Sequence, residues 1–453
     1  MPVSPARSAA FDILLRVERE SSYASELLHS KTYAHLSTAD HALTTELVMG
    51  VLRWRSALDD TISIASSQPL KKLDKEVLIA LRLALYQFRY LTRIPQRAAL
   101  HESVELVKRA RKKSAAPFVN AILRRLSIES PVPSCNLVSL VVRDLSPREI
   151  TTSCAHPIWL VERWMRNYGA SVTLRICEHD QAIPTTAIRL RTPGAQSDLM
   201  KEGISLQPGA FLSSARRVQS GDVTETQAFR KHELVIQDEA SQLVAALVGQ
   251  VEKRNARILD CCAAPGGKTL AVADSNPDTE ITAVEVHPHR ARLMQKLWGA
   301  SGERIKTVVA DARTLPSSQL YDRILADVPC SGTGTLARNP EIKWRLKPED
   351  LPELHNRQLA ILRSALKHLA LGGRLVYSTC SLEKEENEDV VEQVLTENNS
   401  IRRVNCLPEL ERLKESGRLI PNPSTLTRGP YLRTIPGIHQ CDGFFAAILE
   451  RLA

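Results

Sequence analysis

Cys330 lies in a stretch that combines a strand end with reactive side chains. The stretch reads Asp-Val-Pro-Cys-Ser-Gly-Thr-Gly over residues 327–334 and follows the apolar run Ile324–Ala326, which predicts a buried parallel strand. Pro329 has no N–H to donate to a sheet, so we expect the strand to end at Asp327. Open α/β sheets bind ligands at such strand ends. A cysteine that simply packs against the sheet would explain the same pattern.

A second cysteine, Cys380, follows another predicted strand, Arg374–Tyr377. Neighbouring strand ends would bring Cys380 and Cys330 to one edge of the sheet. Such a pair could form a disulfide, bind a metal or act in covalent catalysis. The nine cysteines of the chain are scattered, without paired Cys-x-x-Cys spacing, which fits neither a disulfide framework nor a zinc site. The pattern therefore favours covalent catalysis without a metal.

Methylation of cytosine at C5 needs this kind of chemistry. C5 becomes nucleophilic only after a thiolate has added to C6, and the C5 proton must then leave so that the thiol can be eliminated. A base or a second thiol beside the nucleophile would take that proton. We expect Asp327 to hydrogen-bond the base and stabilise the adduct, and Lys268 is a second candidate for this contact. The chemistry alone does not decide whether Cys330 or Cys380 is the nucleophile.

A cofactor site is predicted at other strand ends of the same sheet. Strand Ile258–Leu259 leads into a loop of small residues and glycines at 262–268, where the backbone can approach a ligand at a helix N-terminus. Glu285 ends the next strand and suits ribose hydroxyls, and Asp311 follows the third strand and suits an adenine amine. One such acid could simply cap a helix, but acids at four successive strand ends indicate a site. A nicotinamide cofactor would need a Gly-x-Gly-x-x-Gly fingerprint, which is missing.

The elements that must position these residues change character along the chain. Residues 4–128 show helical periodicity throughout and contain a basic cluster at 108–125, which suits either a solvated helix face or a phosphate-binding face. Residues 183–235 read as short strands between turns, and from 237 onward strands alternate with helices, as in a doubly wound parallel sheet. Arg345 is expected to line the RNA or base pocket unless it is merely solvated.

Length and composition exclude several classes of protein. A chain of 453 residues is too long for one core, so two or three domains are expected. The net charge of +9 hints at a polyanionic partner, nucleic acid first. We find neither an apolar run of the ~18–20 residues that a membrane span needs nor a signal peptide. The sequence therefore predicts a cytoplasmic protein that does not bind membranes.

Three motifs resemble those of the Sun-type RNA cytosine-5 methyltransferases, which use S-adenosylmethionine on a Rossmann-like fold. They are Cys-Ala-Ala-Pro-Gly-Gly-Lys at 262–268, the stretch at 327–334 already described, and Ser-Thr-Cys-Ser at 378–381. Further matches lie at 237–242, 339–345 and 436–445. The patterns at 99–104 and 118–125 resemble the NusB-like RNA-binding fold. The combination is similar to the RsmB (Fmu/Sun) type of the family, and the likeness covers nearly the whole chain.

The resemblance implies roles for particular residues. Cys380 would be the nucleophile and Cys330 would assist product release, although DNA cytosine methyltransferases use a Pro-Cys thiol as nucleophile. Asp327 and Lys268 would complete the catalytic set. The implied cofactor-binding residues are Cys262, Ala263, Ala264, Pro265, Gly266, Gly267, Lys268, Glu285, Asp311 and Asp327. Glu285 departs from the aspartate that is usual in the family, and either carboxylate can reach a ribose.

The implied organisation has four parts. An all-α NusB-like RNA-binding domain would span 1–130, a linker 131–154, a small α+β RNA-binding subdomain 155–236, and an α/β Rossmann-like methyltransferase domain 237–453. The implied activity is methylation at C5 of a specific cytidine in 16S ribosomal RNA, unassembled or early in assembly, by a monomer. Two alternatives stay open: a tRNA or 23S RNA substrate, and an RNA-binding ribosome-assembly factor with an inactive methyltransferase half.

Overall fold

The computed structural model describes residues 3–20, 22–128, 145–315 and 318–452. Most of the predicted linker at 131–154 lies outside the described residues. The chain divides into two compact units. The first contains the residues up to Ile183 together with Leu336–Leu346, and the second contains Pro184–Thr335 and Lys347 to the C-terminus. No helix in the described ranges is long and apolar enough to cross a membrane.

The first unit is helical, as predicted for residues 4–128. Buried aliphatic residues recur at helical spacing, as on α5, where Leu81 and Leu85 are inaccessible to solvent. Its helices are α1 (Pro5–Glu20), α2 (Ala24–Leu28), α3 (Thr38–Arg53), α4 (Arg55–Ala65), α5 (Lys75–Tyr90), α6 (Gln96–Arg109), α7 (Ala116–Ile128), α8 (Pro147–Cys154), α9 (Ile158–Tyr168) and α10 (Ala170–Gln181).

The second unit alternates strands and helices. Its strands are β1 (Ala187–Leu190), β2 (Ser205–Pro208), β3 (Ala215–Ser220), β4 (Leu234–Ile236), β5 (Arg257–Asp260), β6 (Glu280–Glu285), β7 (Ile305–Val309), β8 (Tyr321–Asp327), β9 (Leu369–Thr379), β10 (Ile401–Val404), β11 (Thr427–Arg428), β12 (Tyr431–Thr434) and β13 (Phe444–Arg451). The remaining helices of the chain are α11 (Ala195–Lys201), α12 (Gln227–Arg230), α13 (Glu239–Leu247), α14 (Gly267–Ser275), α15 (Pro288–Leu297), α16 (Ile342–Arg345), α17 (Asp350–Lys367), α18 (Glu388–Glu397) and α19 (Cys406–Glu415). Of these, α16 belongs to the first unit.

The large sheet confirms the Rossmann-like prediction. Strands β7, β6, β5, β8 and β9 are parallel neighbours in that order. Strand β13 is antiparallel to β9 and pairs on its other side with β12 and β10. A separate antiparallel sheet has the order β2-β3-β1-β4. The carboxyl ends of the five parallel strands therefore lie along one edge.

The segment Leu336–Leu346 packs within the first unit although it follows the Cys330 stretch in the chain. The Lys343 ammonium donates to the carbonyl oxygens of Arg53 and Ala155 at 3.0 and 3.2 Å. Burial lowers the pKa of Lys343 to about 8. The guanidinium of Arg345 donates to the carbonyl of Val17 at 2.9 Å. Arg345, which we expected at the RNA or base pocket, thus contacts backbone of the helical unit.

Candidate active site

The two predicted thiols meet at the carboxyl edge of the large sheet. Strand β8 ends at Asp327, as predicted, and pairs in parallel with β9 so that Asp327 lies opposite Ser378. Cys330 and Cys380 each follow their strand by a few residues, and their sulfur atoms are 3.3 Å apart. Both side chains are half-buried. The strand register therefore places two thiols where they can act on neighbouring atoms of one substrate.

The backbone joins the two cysteine loops directly. The N–H of Gly334 donates to the carbonyl of Cys380 at 2.9 Å, and the N–H of Gly443 donates to the carbonyl of Gly334 at 2.7 Å. A Cβ atom at Gly334 would lie 2.2 Å from the Gly443 oxygen, which no real side chain tolerates. Glycine at 334 is thus required for the close approach of these backbones.

An ion pair stands beside the thiols. Lys268 Nζ lies 2.8 Å from Asp327 Oδ2, and the hydroxyl of Ser378 donates to Asp327 Oδ1 at 2.7 Å. The ammonium also lies 4.9 Å from the centre of the Phe444 ring. Burial by itself would lower the pKa of Lys268, but Asp327, Cys380 and Asp260 together raise it. Lys268 is therefore a fixed cation at neutral pH.

The electrostatic surroundings of the two thiols differ. The hydrogen bond with Cys380, burial and the negative charge of Glu386 together raise the pKa of the Cys330 thiol well above its usual range. Negative charge at Cys380, in contrast, interacts favourably with the Lys268 ammonium. The site thus disfavours a thiolate at Cys330, whereas Cys380 interacts with the Lys268 cation.

A cavity of about 340 Å³ opens beside the loop at 262–268, a size typical of small-molecule sites. It is lined by that loop, by Asp260 and Asp327, and by residues from β4 and α12. Gly266, at φ +112°, caps α14, and a Cβ there would lie 3.0 Å from Trp298. The cavity is largely apolar but carries two carboxylates, which suits a ligand with an aromatic ring and positive charge.

The four predicted acids occupy four successive strand ends, but only two line this cavity. Asp260 is buried and accepts from Thr269 Oγ1 at 2.7 Å; burial raises its pKa to about 7. Glu285 accepts the N–H of His287 at 2.8 Å. Asp311 accepts the N–H of Arg313 at 2.9 Å. Glu285 and Asp311 lie at the ends of strands further along the same edge and make local capping contacts.

Comparison with known proteins identifies the family. Residues 248–450 match the model of the 16S rRNA methyltransferases RsmB/F, and residues 4–127 match the NusB family. A Bacillus subtilis protein named "Probable ribosomal RNA small subunit methyltransferase B" is 32% identical over 100% of both chains. The chain belongs to the RsmB/F methyltransferase family. A Synechocystis protein of the same name is 31% identical over 98% of this chain and 99% of its own.

Solved structures support the same fold. The crystal structure of PH0851 superposes with a TM-score of 0.81 at 22% identity and covers 100% of both chains. As a family member the chain is an S-adenosylmethionine-dependent methyltransferase. The residues fit this cofactor, because the glycine-lined loop at 262–268 admits a closely apposed ligand and the carboxylates of Asp260 and Asp327 complement a cationic one. These residues would hold the cofactor.

Sequence reasoning missed Glu386, the buried carboxylate beneath both cysteine loops. Glu386 is inaccessible to solvent and accepts the N–H of Ser331 at 2.8 Å. In the sequence it belongs to the acidic run Glu385–Glu388, which reads as the exposed start of α18. No signal in the pattern separates this buried carboxylate from its solvated neighbours.

The basic cluster of the helical unit is only partly neutralised. Lys108, Arg109 and Lys112 lie near the carboxylates of Glu105, Asp12 and Asp74. Two of these acids come from other helices, so the sequence around the cluster did not reveal them. The remaining four cations of the cluster are exposed, and they are Arg111, Lys113, Arg124 and Arg125.

Proposed function

We propose that this protein methylates C5 of one cytidine in 16S ribosomal RNA through a covalent Cys380 adduct. The observation that carries the proposal is the pair of thiols 3.3 Å apart at the carboxyl edge of the sheet, beside the Lys268–Asp327 ion pair. Methyl transfer that needed no covalent adduct would have no use for a second thiol at this position. The names of the relatives supply the RNA class.

Each side chain then has a defined task. The Cys380 thiolate, which lies beside Lys268, adds to C6 of cytosine and forms the S–C6 bond. The electrons of the 5,6 double bond move into the ring, and N3 takes a proton from solvent. Asp327 accepts a hydrogen bond from the protonated edge of the base and stabilises this adduct. S-adenosylmethionine, when bound, supplies an activated methyl group to C5.

Release of the product falls to Cys330. Cys330 first gives its thiol proton to solvent, and the resulting thiolate is a strong base because the pKa of its thiol is raised. Cys330 takes the C5 proton, the 5,6 double bond re-forms, and Cys380 leaves as a thiolate. The remaining cofactor contacts are assigned to residues 262–268, with Glu285 at the ribose and Asp311 at the adenine.

RNA binding involves the helical unit in this proposal. The exposed cations Arg111, Lys113, Arg124 and Arg125 can contact phosphates, and such contacts position an RNA without reading its sequence. A cytoplasmic location follows from this substrate.

The test is transfer of tritium from labelled S-adenosylmethionine to unmodified 16S RNA, 23S RNA and bulk tRNA in parallel, with small subunits as a fourth substrate. Label in 16S RNA that maps to one 5-methylcytidine is the expected result. Label in tRNA or 23S RNA would be consistent with the proposed chemistry but would contradict 16S RNA as the substrate. If no RNA is labelled although the cofactor binds, the result would favour the alternative of a ribosome-assembly factor with an inactive methyltransferase half.

A further inference from the structure

The Glu386 carboxylate collects hydrogen bonds from both cysteine loops. Ser331, which follows Cys330, donates its N–H at 2.8 Å to one carboxylate oxygen and its hydroxyl to the other. Ser381, which follows Cys380, donates its hydroxyl to that second oxygen at 2.5 Å. The two serine hydroxyls are themselves 3.0 Å apart. One buried side chain thus contacts the residue after each thiol.

Gln358 of α17 completes this arrangement. Its amide donates to Glu386 Oε1 at 2.8 Å and to the carbonyl of Pro329, the residue before Cys330, at 3.0 Å. In the described residues no lysine, arginine or histidine forms an ion pair with Glu386, so its carboxylate oxygens are satisfied by these hydrogen-bond donors. Burying a carboxylate without hydrogen-bond donors costs free energy. The position of the Glu386 side chain and the positions of its donors therefore depend on each other.

The two thiols depend on this network to different degrees. Cys380 directly follows β9, whose last residue, Thr379, pairs with Phe445 of β13, so strand pairing reaches the residue before this cysteine. Cys330 lies beyond the end of β8, between Pro329 and Ser331. Both of these neighbours are held by Gln358 or Glu386.

We propose that Glu386 is a positioning residue that holds Cys330 in register with Cys380. The inference rests on the proposed function, because it concerns the release step assigned to Cys330. A glutamine at 386 offers one acceptor oxygen in place of two and adds an N–H₂ group facing donors. Cys330 would then shift while Cys380 stays at the end of its strand. The first addition to C6 and the first methyl transfer would survive, and resolution of the adduct would slow.

The experiment compares full-length wild type, E386Q, C330A and E353Q with labelled cofactor and 16S RNA. E353Q is the matched control, because Glu353 lies exposed on α17, where it forms an ion pair with Arg357. For E386Q we expect kcat to fall on the order of 10²-fold, with KM for RNA and first-turnover methyl transfer retained. A covalent RNA–protein band should accumulate on denaturing gels, and the double variant E386Q/C380A should lack it. E353Q should match wild type.

The proposal is overturned if E386Q turns over like wild type, or if it loses first-turnover transfer and the adduct together, as a merely structural role would require. Should E386Q fail to fold, judged by circular dichroism and cofactor binding, S331A removes one donor alone. S331A should show the same accumulation to a smaller extent, and wild-type turnover there also counts against the proposal. Failure of the proposed function looks different: wild type makes no 5-methylcytidine, or C330A forms no adduct.

Discussion

The two cysteine loops contain the same residue type at the same edge of one sheet, yet their surroundings give them different properties. Cys380 lies at the end of a strand, with its carbonyl bound by Gly334 and the Lys268 cation nearby. Cys330 lies in a turn held by side chains that converge on Glu386, whose negative charge contributes to the raised pKa of the Cys330 thiol. Under the proposed mechanism, neighbouring charge and loop support, rather than the thiols themselves, would separate the nucleophile from the base.

The largest effect is expected at the nucleophile. In C380A no thiolate can add to C6, so methyl transfer should fall on the order of 10⁴-fold or more. Cofactor binding should stay near the wild-type level, because Cys380 does not line the cofactor cavity. Single-turnover transfer and calorimetric cofactor titration check this. Methylation that persists in C380A would indicate that Cys330 is the nucleophile, and the roles proposed for the two cysteines would have to be exchanged.

A smaller loss is expected at the second thiol. C330A should form the Cys380 adduct and transfer one methyl group, but steady-state turnover should fall about 10²–10⁴-fold, the usual contribution of a general base. A stable RNA–protein complex on denaturing gels, with digestion and mass spectrometry placing the crosslink at Cys380, is the measurement. C177A serves as a control, because Cys177 is a buried cysteine on α10 of the helical unit. Normal turnover without a complex would leave Cys330 no role in release.

Much of the fold followed from periodicity. Helical spacing predicted the helices of residues 4–128, and the predicted strands at 258–259, 324–326 and 374–377 lie within β5, β8 and β9. Strand β3 and strands β10 to β13 were not predicted; β13, for example, pairs with β9, which is distant in the chain. The packing of Leu336–Leu346 in the helical unit was also missed, since no local pattern records where a segment docks.

The site was predictable where strand ends fix a residue. Cys330, Cys380 and Asp327 come together as expected because the parallel register of β8 and β9 determines where each loop starts. Lys268 joins them from the start of α14, which follows β5, the other parallel neighbour of β8. Glu386 escaped prediction because its burial depends on donors from three separate elements. A carboxylate's burial is a property of tertiary packing: Glu385 and Glu388 in the same acidic run are partly exposed, whereas Glu386 is buried.

The smallest effect is expected for Lys268, the cation beside Cys380. Its replacement tests whether charge, rather than loop support, makes the two thiols different. K268Q removes an ammonium whose raised pKa keeps it charged at neutral pH, so thiolate at Cys380 loses its stabilising partner. In the C330A background, alkylation of Cys380 by iodoacetamide at pH 7.5 should slow about tenfold, which corresponds to about 1.4 kcal/mol. Peptide mass spectrometry isolates this site from the other cysteines. K253Q is the control, because Lys253 forms an exposed ion pair with Asp322 and should leave the rate unchanged. An equal rate in K268Q would mean that loop support alone separates the two thiols.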